Sequence, residues 1–147
     1  MKLLAMGDVH VAQLWPMPWQ LLGKRLLGQM NYWLNRRQRF DARRLEPLLE
    51  KLHSHHPDAI VHTGDFTTTA SDHEFRTARR LFEALWNRQP TVVIPGNHDR
   101  YTFTDARMKR VERHLGKWMA DEYPAATDLG ENLRVIQLDA AIPTWYS

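Results

Sequence analysis

Three short motifs hold the residues of this chain best suited to chemistry: Asp8-Val9-His10, Gly64-Asp65 and Gly96-Asn97-His98-Asp99. Each follows an apolar run that reads as a strand. Leu3 to Met6 leads into Gly7-Asp8, Ala59 to His62 into Thr63-Gly64-Asp65, and Thr91 to Ile94 into Pro95-Gly96-Asn97. Carboxylate, imidazole and amide donors without a thiolate suit manganese, iron, zinc or magnesium better than copper. Asp8 and His10, two apart as the chain leaves its strand, can turn to one side and clamp an ion through oxygen and nitrogen. The two oxygens of Asp65 can bridge a pair of ions, and the Asn97 carbonyl oxygen can complete part of a second site. Gly64 and Gly96 let the backbone come close to an ion or phosphate. Gly-Asp alone is a common turn and Asp-x-His alone says little, whereas Gly-Asn-His-Asp behind Val-Val-Ile-Pro is far more specific.

A parallel sheet would bring these motifs together, because loops at the carboxyl ends of neighbouring parallel strands open on one crevice. The intervening sequence has the helices that such a sheet needs. From Arg44 to His53, Leu45, Leu48, Leu49 and Leu52 fall at helical spacing, with Pro47 tolerable in the first turn. Ser54-His55-His56-Pro57 ends that helix, and His53, His55 and His56 read as helix-end residues rather than a metal cluster. Ser71-Asp72-His73-Glu74 reads as a reciprocal capping box, followed by a stripe of Phe75, Ala78, Leu81, Phe82 and Leu85. After the third motif, Tyr101-Thr102-Phe103-Thr104 leads to a third helix with Met108, Val111, Leu115, Trp118 and Met119 on one face. A fourth strand is read over Leu133 to Leu138. Strands separated by helices imply an α/β fold, a mostly parallel sheet with flanking helices.

The three motifs, in this order and spacing, resemble those of the calcineurin-like metallophosphoesterases, whose pattern runs Asp-x-His, Gly-Asp, Gly-Asn-His-Asp or Glu, then Gly-His and Gly-His-x-His. The last two blocks do not occur here: no histidine follows a glycine. The resemblance therefore implies the first half of that family's α/β sandwich, a single domain over 1–147 that is incomplete at its carboxyl end. It implies two divalent metal ions, with Asp8 and His10 on the first, Asp65 bridging and Asn97 on the second. It also implies catalytic roles for His98, which would assist the phosphate or protonate the leaving group, and for Asp99, which would orient the His98 ring. The reaction expected is hydrolysis of a phosphodiester or pyrophosphate bond by a two-metal-activated hydroxide. With part of the ligand set missing, this chain is expected to be weak or inactive. The alternatives are a non-catalytic metal- or phosphate-binding fragment and a nucleic-acid phosphodiesterase.

Composition narrows the partners. The 147 residues suit one domain, and zero cysteines exclude disulfides and thiolate metal sites. The opening Met1 to Met6 is too short an apolar run for a signal peptide and reads as the first strand. The net charge of +3 favours an anionic partner. Within an insertion at about 11–40, Trp15, Trp19, Leu21, Leu22, Leu26, Leu27, Tyr32 and Trp33 interleave with Lys24, Arg25, Arg36, Arg37 and Arg39. Aromatic and basic residues with few acids suit the headgroup layer of a bilayer; the other reading is a lid packed on the core. Gly23 to Asn31 followed by Asn35-Arg36-Arg37 resembles the branch that includes UDP-2,3-diacylglucosamine pyrophosphohydrolases, which implies a nucleotide-lipid substrate. A cytoplasmic chain is expected, peripheral on the inner membrane face if the insertion lies in headgroups. Nucleic acid is a disfavoured partner, and self-association through an exposed last strand is expected.

Overall fold

A computed structural model describes residues 1–12 and 42–143 together with Leu26 and Met30, the side chains of 42–44 excepted. The insertion read at about 11–40 therefore lies almost wholly outside the described residues, and the membrane reading with it.

Strands β1 (Leu3–Met6), β2 (Ala59–His62) and β3 (Thr91–Val93) form a parallel sheet in the order β1-β2-β3. Leu3 to Met6 pairs with Ala59 to His62, and Ile60 to His62 with Thr91 to Val93. Between them lie α1 (Ala42–Ser54) and α2 (Asp72–Trp86). Two right-handed crossovers stepping the same way across a sheet place both helices on one face. Accordingly Leu45, Leu49 and Leu52 of α1 share a core with Phe75, Ala78, Phe82 and Leu85 of α2 and with Ile60 and Val93 from the sheet. The α/β arrangement expected from the alternation of strands and helices is the one observed.

Helix α2 begins as its sequence reads. The Ser71 side chain accepts from the Glu74 amide, and the Glu74 carboxylate accepts from the Ser71 amide at 3.1 Å, which satisfies two amides that a helix start otherwise leaves open. In α1, Pro47 lies in the second turn rather than the first, so the helix starts earlier than the leucine spacing alone indicates.

Two further expectations are corrected. The helix after the third motif is broken into α3 (Phe103–Arg107), α4 (Arg110–Leu115) and a 3-10 turn, Gly116–Trp118. Lys109 adopts a left-handed φ of 49° between α3 and α4, so Met108 turns outward and is exposed while Val111, Leu115 and Trp118 stay buried. The final strand, β5 (Arg134–Gln137), does not join the parallel sheet. It pairs antiparallel with β4 (Ala125–Asp128), a strand that the sequence reading missed because Ala-Ala-Thr-Asp has neither a β-branched run nor a strong apolar alternation. Near this hairpin, Leu129, Leu133 and Val135 pack with Ala59, Val61 and Val92 from the sheet in a second, smaller cluster.

Candidate metal centre

The carboxyl ends of β1, β2 and β3 carry the three motifs, and their loops are tied by backbone hydrogen bonds. The Asp8 amide donates to the Gly64 carbonyl at 3.1 Å, the His10 amide to the Asp65 carbonyl at 2.9 Å and the Val11 amide to the Phe66 carbonyl at 2.7 Å. The first two loops thus run side by side as an extension of the β1–β2 pairing. The third comes in against Gly64: a Cβ there would overlap the Gly96 amide, and one at Gly96 would overlap Asp65. Both positions need glycine for that close approach, and Gly64 also for its φ of 93°.

Asp8, His10 and Asp65 all hold left-handed backbone angles, with φ of 54°, 49° and 56°. Asp and His tolerate this region better than most residues, yet three such angles in neighbouring loops mark a place where the surroundings dictate conformation. The result is convergence. One ligand atom from each of Asp8, His10 and Asp65 lies within 4.8 Å of the others, a spacing that a single cation can contract into its coordination shell. His10 Nε2 is 3.7 Å from Asp8 Oδ1, with the imidazole almost wholly buried and the Asp8 carboxylate open to solvent. Two oxygens and a nitrogen, half buried, match the donor set of a hard or borderline divalent ion. Among the described residues no other His, Cys, Asp and Glu cluster of this kind occurs, and His53, His55 and His56 form none.

Asn97 is exposed at the tip of the third loop. Next to it the His98 amide donates to Asp65 Oδ1 at 2.9 Å, which fixes one oxygen of the central carboxylate. The His98 ring meets the His10 ring edge to face, with centroids 4.6 Å apart, and stacks on the buried Tyr101. His98 Nδ1 lies 2.9 Å from the Thr68 carbonyl. A carbonyl can only accept, so Nδ1 carries the proton and Nε2 is the atom of the neutral ring that can take one up.

This corrects the orienting role expected of Asp99. Its carboxylate is fully buried and accepts from the Thr67 amide at 3.0 Å, the Thr67 hydroxyl at 3.1 Å and the Gly96 amide at 3.0 Å, so it staples the second loop to the third instead of holding the His98 ring. Burial pushes its carboxyl up to about 7, against the pull of those donors. The sequence reading also missed Thr67 and Thr68. The single proton of the Thr67 hydroxyl is shared between Asp99 and the His98 carbonyl, while the Thr68 amide donates to the Val11 carbonyl and its hydroxyl to the His10 carbonyl. Three consecutive threonines one residue beyond Gly-Asp were the available signal, since short hydroxyl side chains that bond backbone are what a buried loop requires.

The family model for calcineurin-like phosphoesterases matches residues 1–143. The chain belongs to that family. It is 44% identical over 43 residues to glycerophosphodiester phosphodiesterase GpdQ of Enterobacter lignolyticus (strain SCF1), a stretch covering 29% of this chain and 15% of that protein. It is 35% identical over 109 residues to a cAMP/cGMP dual specificity phosphodiesterase of Mycobacterium tuberculosis, covering 68% of this chain and 31% of that protein. The chain thus spans under a third of the length of either relative. The family is metal-dependent, and the Asp8, His10 and Asp65 cluster is the candidate site for an ion among the described residues.

Proposed function

We propose that this chain serves a metal-dependent phosphodiesterase, in which Asp8, His10 and Asp65 hold one divalent ion and Asp65 and Asn97 contribute to a second. The convergence of the Asp8, His10 and Asp65 ligand atoms within 4.8 Å carries the reading. When bound, such ions supply Lewis acidity to the phosphoryl oxygens and activate water at neutral pH. His98, held through Nδ1 by the Thr68 carbonyl, presents Nε2, which once protonated would deliver that proton to the leaving oxygen and return the ring to its neutral form. The half-buried loops exclude water from one side of the centre while the exposed Asp8 and Asn97 leave the other open to substrate. The two relatives named for phosphodiesters support a small phosphodiester as the substrate class.

The test is manganese-dependent hydrolysis of bis-p-nitrophenyl phosphate. Slow turnover is expected, lost on chelation and lost again in Asp65→Asn; no manganese binding together with no turnover sinks the reading. A second reading, a lipid-linked nucleotide at a membrane surface, is favoured by the aromatic and basic composition of 11–40. Flotation with anionic liposomes, abolished when Trp15, Trp19 and Trp33 are replaced, supports it, and failure to float counts against it.

A further inference from the structure

His62, the last residue of β2, is fully buried on the helix-covered face of the sheet. It stacks on Phe66 with ring centroids 4.0 Å apart, and Phe82 and Trp86 meet it nearly perpendicularly at 5.3 and 5.8 Å. A phenylalanine or leucine would suit such an aromatic box without any polar group to satisfy. The imidazole instead buries two nitrogens, and among the described residues Nε2 has no hydrogen-bond partner. A group that is costly to bury marks a place to look for a compensating interaction. Here the other nitrogen supplies it: Nδ1 accepts the Gly64 amide at 3.2 Å.

That amide sits at the centre of the three loops. Gly64 is buried, so without Nδ1 its N–H would face neither water nor another acceptor among the described residues. The same residue donates nothing else but accepts the Asp8 amide through its carbonyl, presses against Gly96 and precedes Asp65 in a left-handed turn. Rotating the Gly64 backbone would therefore move Asp8 and Asp65 together and release Gly96. The aromatic box limits rotation of the His62 ring, and burial pushes the ring down to about 3, so Nδ1 keeps its lone pair throughout the neutral range.

We propose that His62 is a positioning residue for the metal centre, its buried Nδ1 fixing the Gly64 amide so that Asp8 and Asp65 converge on one ion. This role rests on the metal-binding reading above. It is separable from packing, because His62→Phe keeps a ring but removes the acceptor, whereas His62→Asn removes the ring and keeps an oxygen near the place of Nδ1.

The test is calorimetric titration of the whole chain with manganese(II), alongside thermal melting. His62→Phe exchanges one unpartnered buried N–H, that of Nε2, for another, that of Gly64, so it is expected to melt close to wild type and to bind manganese at least tenfold more weakly. His62→Asn is expected to melt lower and to bind within threefold of wild type. Exchange of the Gly64 amide, followed by NMR, is expected to be at least tenfold faster in the Phe variant than in the Asn variant. If the Phe variant does not fold, His62→Leu takes its place as the ring-free variant without an acceptor, with the same weakening expected. Wild-type affinity in the variants lacking an acceptor, or equal weakening in His62→Asn, overturns the proposal while leaving the metal site standing. No manganese binding by the wild type overturns the metal-binding reading itself, and this role with it.

Discussion

At the scale of single residues, Asp99 shows how far a motif can be read. Its place in the third motif marked it for the site, but only the folded chain brings it to its partners, Thr67 and Gly96, because hydrogen bonds between loops depend on the register of β2 against β3. His62 was silent because it lies in no recognisable motif and acts through one backbone amide, that of Gly64 two residues on, while Thr68 acts through its bonds to Val11, His10 and His98 on the neighbouring loops. The raised carboxyl of Asp99 makes a pH prediction. Its folded value of about 7 exceeds the ordinary 3.8, so between those values the folded chain binds a proton that the unfolded chain has released. Stability of the metal-free protein should then fall as pH rises from about 4 to about 7, by an amount on the order of a few kcal/mol. Asp99→Asn, neutral at every pH, is expected to flatten that slope while losing about 1 kcal/mol at pH 4 through its mismatch with the Gly96 amide. Urea unfolding across this pH range measures both, and a slope that persists unchanged in the Asn variant would falsify the assignment.

At the scale of elements, local signals were readable where they are self-contained. The Ser71–Glu74 box and the Phe75, Ala78, Phe82 and Leu85 stripe specify α2 without reference to the rest of the chain. The break at Lys109 and the β4–β5 pairing were not readable, since a helix break without glycine or proline and a weakly apolar strand are both settled by tertiary packing. The cap of α2 also connects to function. Glu74 Oε2 accepts from the Thr69 amide and hydroxyl as well as from the Ser71 amide, so the helix start anchors the threonine loop that holds Asp99 and His98. The two halves of the box should therefore separate. Ser71→Ala is expected to cost about 1 kcal/mol and to leave manganese affinity nearly intact. Glu74→Ala leaves several buried donors without their carboxylate and is expected to cost more, roughly 2–4 kcal/mol, with manganese affinity falling as well. Denaturant unfolding with parallel manganese titration distinguishes them, and equal effects on affinity would show that the loop does not depend on the helix start.

Across the whole molecule, the described residues cover the two sides of the sheet unequally. The helix side carries the main core, from Val11 to Trp118, whereas among the described residues the other side has the small cluster around Ala59, Val92 and Leu129. The β4–β5 hairpin meets that cluster with Val135 and turns Ile136 and Leu138 outward, at 62% and 65% exposure, and Ile142 farther along is 70% exposed. Alternation along the strand turns Ile136 away from Val135, beside Ala126 in the pairing register, and Leu138 follows just past the strand's end. Such a face, at the rim of a short two-stranded ribbon, offers the kind of apolar surface on which another copy could pair, and we propose that it does so. The net charge of +3 is too small to keep copies apart at physiological salt, where repulsion is screened within about 8 Å. Sedimentation velocity is expected to show association that grows with protein concentration. Replacing Ile136 and Ile142 with lysine removes apolar area worth about 1.5–3 kcal/mol for each isoleucine fully buried between copies. It should weaken association at least tenfold without lowering manganese affinity, because both positions lie outside the three metal-site loops. A chain that sediments as a monomer at every concentration, or lysine variants that associate as strongly as wild type, would remove this face from consideration.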